Sequence, residues 1–397
     1  MNQSVAVGIA LLVLAGLAWS LYRPKVQQSK RYQATVVPLA NIMDVGFIVM
    51  SPAIILLVGF AAPLVMVGIS LLAIAMGFVI AYNIRHYEPL RGTDDPVNRV
   101  ARLSRWALTF ASIINIAYYA LLFITLILWP LGAYGDTNLA IGGIILLVGL
   151  IVVGMRGGMN RLNDLGNKTT AFNISAVVAV VVAFVVFNIQ EAMGGRWNLG
   201  QSDAVIDANS VRQIIGLFAI VQGFEASRYI GSRFAKETRI SAMRVAQLIA
   251  YVVFVVFVAS VLLLYVDVKT DFSAQSIFLV SEEVGAFMPW LILLAAVGSE
   301  GSAIINATMS RSDMLVNNKM PRKWTYLALL GPALVLFLLV DVSMAVALAS
   351  RVFAAYYLLQ ALIAGIIARR SKNWPAVAGF AAIGTAMGII AIFGLST

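Results

Sequence analysis

The sequence predicts an all-α integral membrane protein of twelve spans, built as two inverted five-helix repeats with one extra helix at each end. Three observations predict it. The 397 residues are 61% hydrophobic and only 12% charged, with a mean hydropathy of +0.91, which is a membrane rather than a globular composition. Apolar runs long enough to cross a bilayer, about 20 residues each, recur along the whole chain. The basic residues alternate from loop to loop, with 24 of the 28 Lys and Arg residues on one side.

The runs fall at 4–22, 37–61, 63–84, 106–131, 139–155, 171–189, 212–231, 243–266, 285–309, 325–341, 343–368 and 374–395. The segments 23–35, 85–105, 156–170, 228–244, 311–323 and 369–372 carry the basic excess and read as cytoplasmic. The opposite loops hold only Arg196, Arg212 and Lys269, and Arg351 lies inside a run. Both termini are therefore expected outside, in a cell membrane of the bacterial inner-membrane type. A net charge of +10 distributed in this way follows membrane topology, so nucleic acid is excluded as a partner and the bilayer takes its place.

The first run lacks a basic leader and a small-residue cleavage site, and Arg23, Lys25, Lys30 and Arg31 follow it. It reads as a retained anchor rather than a secretory signal. Absence of cysteine removes any disulfide framework or thiolate metal site. With residues 1–35 set aside as anchor and linker, 36–190 and 210–370 each contain five spans, and 371–397 hold the last helix. Five is odd, so two blocks with one internal plan lie inverted in the membrane.

The first span of each block is interrupted, at Gly46 to Pro52 and at Gly223 to Ser227. A helix broken at mid-depth presents unpaired amides and carbonyls, each end carrying about half a unit of dipole charge, and such ends hold charged groups. The plainer reading is that Gly and Pro are simply common in membrane helices.

Four stretches, in order, resemble the amino acid/polyamine/organocation permease superfamily, whose members have the leucine-transporter type of fold. They are DVGFIVMSPAIILLVGFAAP at 44–63, LNDLGNKTTAFNI at 162–174, QGFEASRYIGSRFAKETRISAMR at 222–244 and MSRSDMLVNNKMP at 309–321. The resemblance implies alternating-access transport of a small-molecule solute. It implies a site formed by Gly46, Phe47, Ile48 and Ser51 in the first broken helix, Gly223, Phe224, Glu225 and Ser227 in the second, and Asn115 and Tyr119 in the 106–131 span. Two departures stand out. Asp44 occupies the position of the family's first glycine, beside the amides that receive a substrate carboxylate. Val180 occupies the position where sodium-independent members carry a lysine.

Charged groups at membrane depth cost at least about 2.5–3.5 kcal/mol and point to function. Glu225 reads as substrate-facing and as a proton-coupling group, against the structural alternative of a pair with Arg228. Glu300 lies between Ser299 and Ser302, with Gly298 and Gly301 thinning the helix. In the implied fold these serines face the first broken helix and, with carbonyls near Gly46 and Val49, could bind sodium through hard oxygen ligands; close helix packing is the alternative. Arg351 requires an anion, either Glu300, Glu225 or solute. Asp44, Glu225, Glu300 and Arg351 are thus the coupling and gating candidates. Tyr118 and Tyr119 divide between cavity and packing, Phe224 between cation stacking and core, and His86 reads as a headgroup-level residue.

No catalytic constellation, metal cluster or nucleotide loop is present in the sequence, so neither an enzyme nor a cofactor is expected beyond a coupling proton or sodium ion. The sequence reading is a secondary transporter of a small polar organic solute, an amino acid or amine first, coupled to protons or run as an exchanger. Sodium symport, inorganic cation uptake drawn by Asp44, Glu225 and Glu300, and a non-transporting sensor or scaffold are the rivals.

Overall fold

A computed structural model describes residues 2–195, 204, 206–268, 275–317 and 319–396; the predicted outer-loop residues Arg196 and Lys269 lie outside it. Among the described residues the chain is helical throughout, with ten stretches long and apolar enough to cross a membrane. Two differences separate these from the twelve predicted runs. The runs at 37–61 and 63–84 share one apolar stretch, Gly46–His86, and the run at 212–231 is not a continuous helix.

The helices are α1 (Asn2–Leu21), α2 (Pro24–Gln27), α3 (Lys30–Ile42), α4 (Gly46–Val58), α5 (Ala62–His86), α6 (Val97–Leu128), α7 (Asp136–Met155) and α8 (Met159–Met193). After them come α9 (Ala208–Gly216), α10 (Lys236–Val268), α11 (Ser276–Val284), α12 (Met288–Asn317), α13 (Arg322–Leu339), α14 (Val342–Arg370) and α15 (Trp374–Phe393). Helices α4, α6 and α8 are the most deeply buried. Helix α6 packs on α12 and α14, while α10 packs on α3, α4 and α5. The outer helices α1 and α15 lie against α8 and α14 respectively.

The first break lies earlier than its glycine and proline suggest. Residues Gly46 to Pro52, expected as the interruption, are continuous α4, and the chain leaves the helix at Met43, Asp44 and Val45. The physical reason is a cap: the Asp44 carboxylate accepts the amide of Gly46 at 2.9 Å, which starts a helix at Gly46. Pro52 lies inside α4, where the Ser51 hydroxyl donates to the Phe47 carbonyl at 2.6 Å. Gly59, at φ 53°, then turns the chain through a short 3₁₀ segment into α5.

The second break is wider than its motif. After α9 the chain runs through 3₁₀ turns at Phe218–Val221 and Phe224–Arg228, and regular helix resumes only at Lys236. Gly223 sits between the turns at φ 108°, a conformation that costs other residues. A Cβ there would also collide with the backbone of Asn41 and Ile42, the last turn of α3. The second interruption thus crosses the end of α3, directly before the first, backbone to backbone.

On the face rich in Lys and Arg, the side chain of Arg239 is 2% exposed, pairs with Glu88 at 2.6 Å and reaches the Arg228 carbonyl at 3.2 Å, fixing the end of the second break. Between α4, α8 and α10, Phe47 stacks on Phe254 at 4.1 Å between ring centres, with Phe257 edge-on to Phe47 at 5.5 Å and to Phe184 at 5.2 Å. These rings form one buried aromatic cluster.

The crossing predicts that Gly223→Ala lowers stability by at least the roughly 1–3 kcal/mol of a strained backbone position. Gly388→Ala, in α15 with nothing within 4 Å of the added carbon, is expected to be neutral or stabilising by up to about 1 kcal/mol. Thermal unfolding of the two variants in detergent checks both.

Candidate functional site

Helix α4 begins deep in the bundle, so its first amides need partners that water cannot supply. Two carboxylates provide them. Asp44 takes the Gly46 amide, as described above, and Glu300 of α12, fully buried, accepts the Val45 amide at 3.1 Å. Tyr119 and the Phe47 amide also approach Asp44. Tyr118 lies so close over Gly46 that a Cβ at that position would meet its hydroxyl. The second Glu300 oxygen and the Tyr118 hydroxyl are buried with no hydrogen-bond partner among the described residues.

Glu225 is built into the second break. Its Oε2 accepts the Gly223 amide at 2.9 Å and the Tyr357 hydroxyl at 2.7 Å. Phe224 stacks on the Tyr357 ring, 5.4 Å away and nearly parallel. The freed backbone groups of this segment are met by neighbouring helices: Tyr251 donates to the Val221 carbonyl at 2.8 Å, and Ser350 accepts the Ala219 amide at 2.7 Å. Helices α10 and α14 therefore hold the break open in one geometry.

A cavity of about 550 Å³ runs from the basic face to this crossing. Asn41, Asn115, Tyr119, Gly223 and Glu225 line its inner part, and Tyr32, Tyr229, Arg233, Ser310, Arg311 and Asp313 line the rest. A second, polar cavity of about 30 Å³ adjoins it, bounded among others by Asp44, Asn173, Ser299, Ser302 and Asn306. There Asn173 packs so tightly on Gly298 that no Cβ would fit.

Several residues singled out from the sequence meet here: Asn115, Tyr119, Gly223 and Glu225 in the larger cavity, and Asp44, Ser299 and Ser302 in the smaller. Others lie apart. Gly46, Phe47, Ile48, Val49 and Ser51 are buried in α4 and line neither cavity. Phe224 is fully buried in its stack, and Ser227 is buried beside it.

Two expected pairings are corrected. Arg351 is partnered by neither Glu300 nor Glu225; it reaches the Ile392 carbonyl at the end of α15, at 3.4 Å. Arg351 faces the end of α15, whereas its neighbour Ser350 faces the second break. Arg228 does not pair with Glu225 either. It bonds Gln360 and lies over the Tyr87 ring. His86 packs on Tyr82, and Val180 is buried apolar core.

Tyr357, Ser350, Asn41, Asn173 and Arg311 were not singled out from the sequence. Tyr357 and Ser350 carried a usable signal, being polar tips seven residues apart on one face of the same helix. Arg311 falls in the basic segment 311–323 that reads from sequence as a loop, whereas α12 continues to Asn317.

Residues 24–394 match the model of a family described as APC superfamily transporter. A protein of Aquifex aeolicus (strain VF5), described only as uncharacterized, is 28% identical over 367 residues, covering 88% of this chain and 87% of its own.

Glu300→Gln, which keeps an acceptor for the Val45 amide, is expected to melt close to the unaltered protein. Glu300→Leu orphans that buried donor and should cost about 1–3 kcal/mol; equal melting of the two variants in detergent would remove the capping role.

Proposed function

Because the chain belongs to the APC superfamily of transporters, we propose that this multi-pass membrane protein moves a small, amine-bearing organic solute by alternating access. We take it as a secondary active transporter, not an enzyme, with twelve spans in two inverted units of leucine-transporter type. In this reading the basic face is cytoplasmic, both termini are outside, and the membrane is a bacterial inner membrane. The cavity that opens on the basic face is, in this reading, that of the inward-facing state.

One observation carries the substrate class. The amides at the start of α4 are already occupied by Asp44 and Glu300, so a solute carboxylate has neither free donors nor a favourable field there. A cationic amine has both fields in its favour, with Glu225 on the cavity wall and Asp44 just beyond it. The buried aromatic and amide groups around them restrict size without adding charge.

Coupling is assigned to protons at the Asp44 and Glu300 carboxylates. Two carboxylates against one helix end, with no basic side chain within ion-pair distance among the described residues, form a natural place to take up and release a proton. The polar cavity of about 30 Å³ beside Ser299 and Ser302 supports a sodium ion as the second reading.

Uptake into proteoliposomes tests both. Lysine, putrescine and alanine are expected to compete for one site and to raise the melting temperature, while succinate has no effect. Asp44→Asn should abolish the pH dependence of uptake and leave binding largely intact. Protection by succinate alone would overturn the amine reading; uptake that needs sodium and is lost in Ser302→Ala would replace protons by sodium.

A further inference from the structure

Arg311 lies eleven residues beyond Glu300 on α12, about 16 Å along the helix axis towards the basic face. Its side chain borders the same cavity as Glu225, and the residue is only 8% exposed. The guanidinium lies over the Tyr229 ring at 5.1 Å, and Nη2 donates to the Ser310 hydroxyl at 2.9 Å. Nε is buried with no hydrogen-bond partner.

No carboxylate among the described residues lies within ion-pair distance of it. Asp313, its near neighbour in sequence, is paired with Arg322 at 2.8 Å. Glu225 borders the same cavity, and its Oε2 is bound to Gly223 and Tyr357. A guanidinium stays charged at any physiological pH, and a buried charge without a partner is costly. Here it is directed into a cavity that has a carboxylate on its inner wall.

We propose that Arg311 anchors the acidic group of a zwitterionic solute, whose amine meets Glu225 at the inner end of the cavity. The inference rests on the amine reading above and extends it to a second, oppositely charged contact. It also sets the solute's direction. The acidic group points to the basic face, and the amine points to the helix crossing where Asp44 and Glu300 keep carboxylates out. A planar guanidinium accepts a carboxylate or a phosphate ester equally well through paired hydrogen bonds, and the two are separated by probe.

The test is calorimetric titration of the purified full-length protein with δ-aminovalerate, O-phosphoethanolamine, n-pentylamine and valerate, repeated for Arg311→Gln and Arg311→Lys. In the unaltered protein at least one zwitterion is expected to bind about tenfold or more tighter than pentylamine, since charged hydrogen bonds of this kind are the strong ones. Which zwitterion does so identifies the acid. Arg311→Gln should erase that advantage and leave pentylamine affinity unchanged, with Arg311→Lys recovering part of it.

Equal affinities for zwitterion and amine in the unaltered protein would overturn the proposal, as would an equal loss for both in Arg311→Gln or no binding by any acidic probe. The first comparison needs no variant, so misfolding of Arg311→Gln does not protect the idea. Zwitterion and pentylamine binding with equal affinity, both indifferent to Arg311, would remove the anchor and keep the amine reading. Valerate binding that depends on Arg311, with no contribution from the amine, would do the reverse.

Discussion

A helix that starts inside an apolar bundle exposes amides that nothing in hydrocarbon can satisfy, and the site is organised around what covers those of Val45 and Gly46. Asp44 and Glu300 cover them. The positive end of the α4 dipole, an anion site by default, is thereby turned into a place already negative. Asp44 is local to the break, whereas Glu300 comes from α12, so the cap also ties two distant parts of the chain together. Gly46 is needed because Tyr118 closes over that end.

The second break is satisfied by other means and complements the first. Its backbone groups go to Tyr251 of α10 and Ser350 of α14, and Glu225 folds back onto the Gly223 amide with Tyr357 behind it. Since Gly223 packs directly on the backbone of Asn41 and Ile42, moving either interruption disturbs the other. That mechanical link is what the proposed alternating-access cycle needs, and Glu225 and Asp44 stand near the cavity's inner end.

Much of this was legible in the residues, and the failures have physical causes. The apolar runs depend on the bilayer alone, and ten stretches among the described residues match them, with 37–61 and 63–84 sharing one and 212–231 broken. The second break was found because Gly223 and Glu225 are both costly in an apolar span. The first was placed several residues late, because Gly46 and Pro52 were weighted above the capping power of Asp44. Arg351 was given a buried partner because its charge is visible in sequence, but its actual neighbour, the end of α15, depends on how the last helix packs. Arg311 was hidden for the opposite reason: it stands next to a basic loop, and only the fold reveals that Tyr229 and the cavity wall enclose it.

The account stands on the amides at the start of α4 staying with the chain's own carboxylates when the solute is bound. A cryo-electron microscopy structure of the protein saturated with a zwitterionic solute measures this directly. The account predicts that Val45 and Gly46 remain bonded to Glu300 and Asp44, with the amine of the solute against Glu225. A solute carboxylate seated on those two amides, with Asp44 displaced, would contradict it.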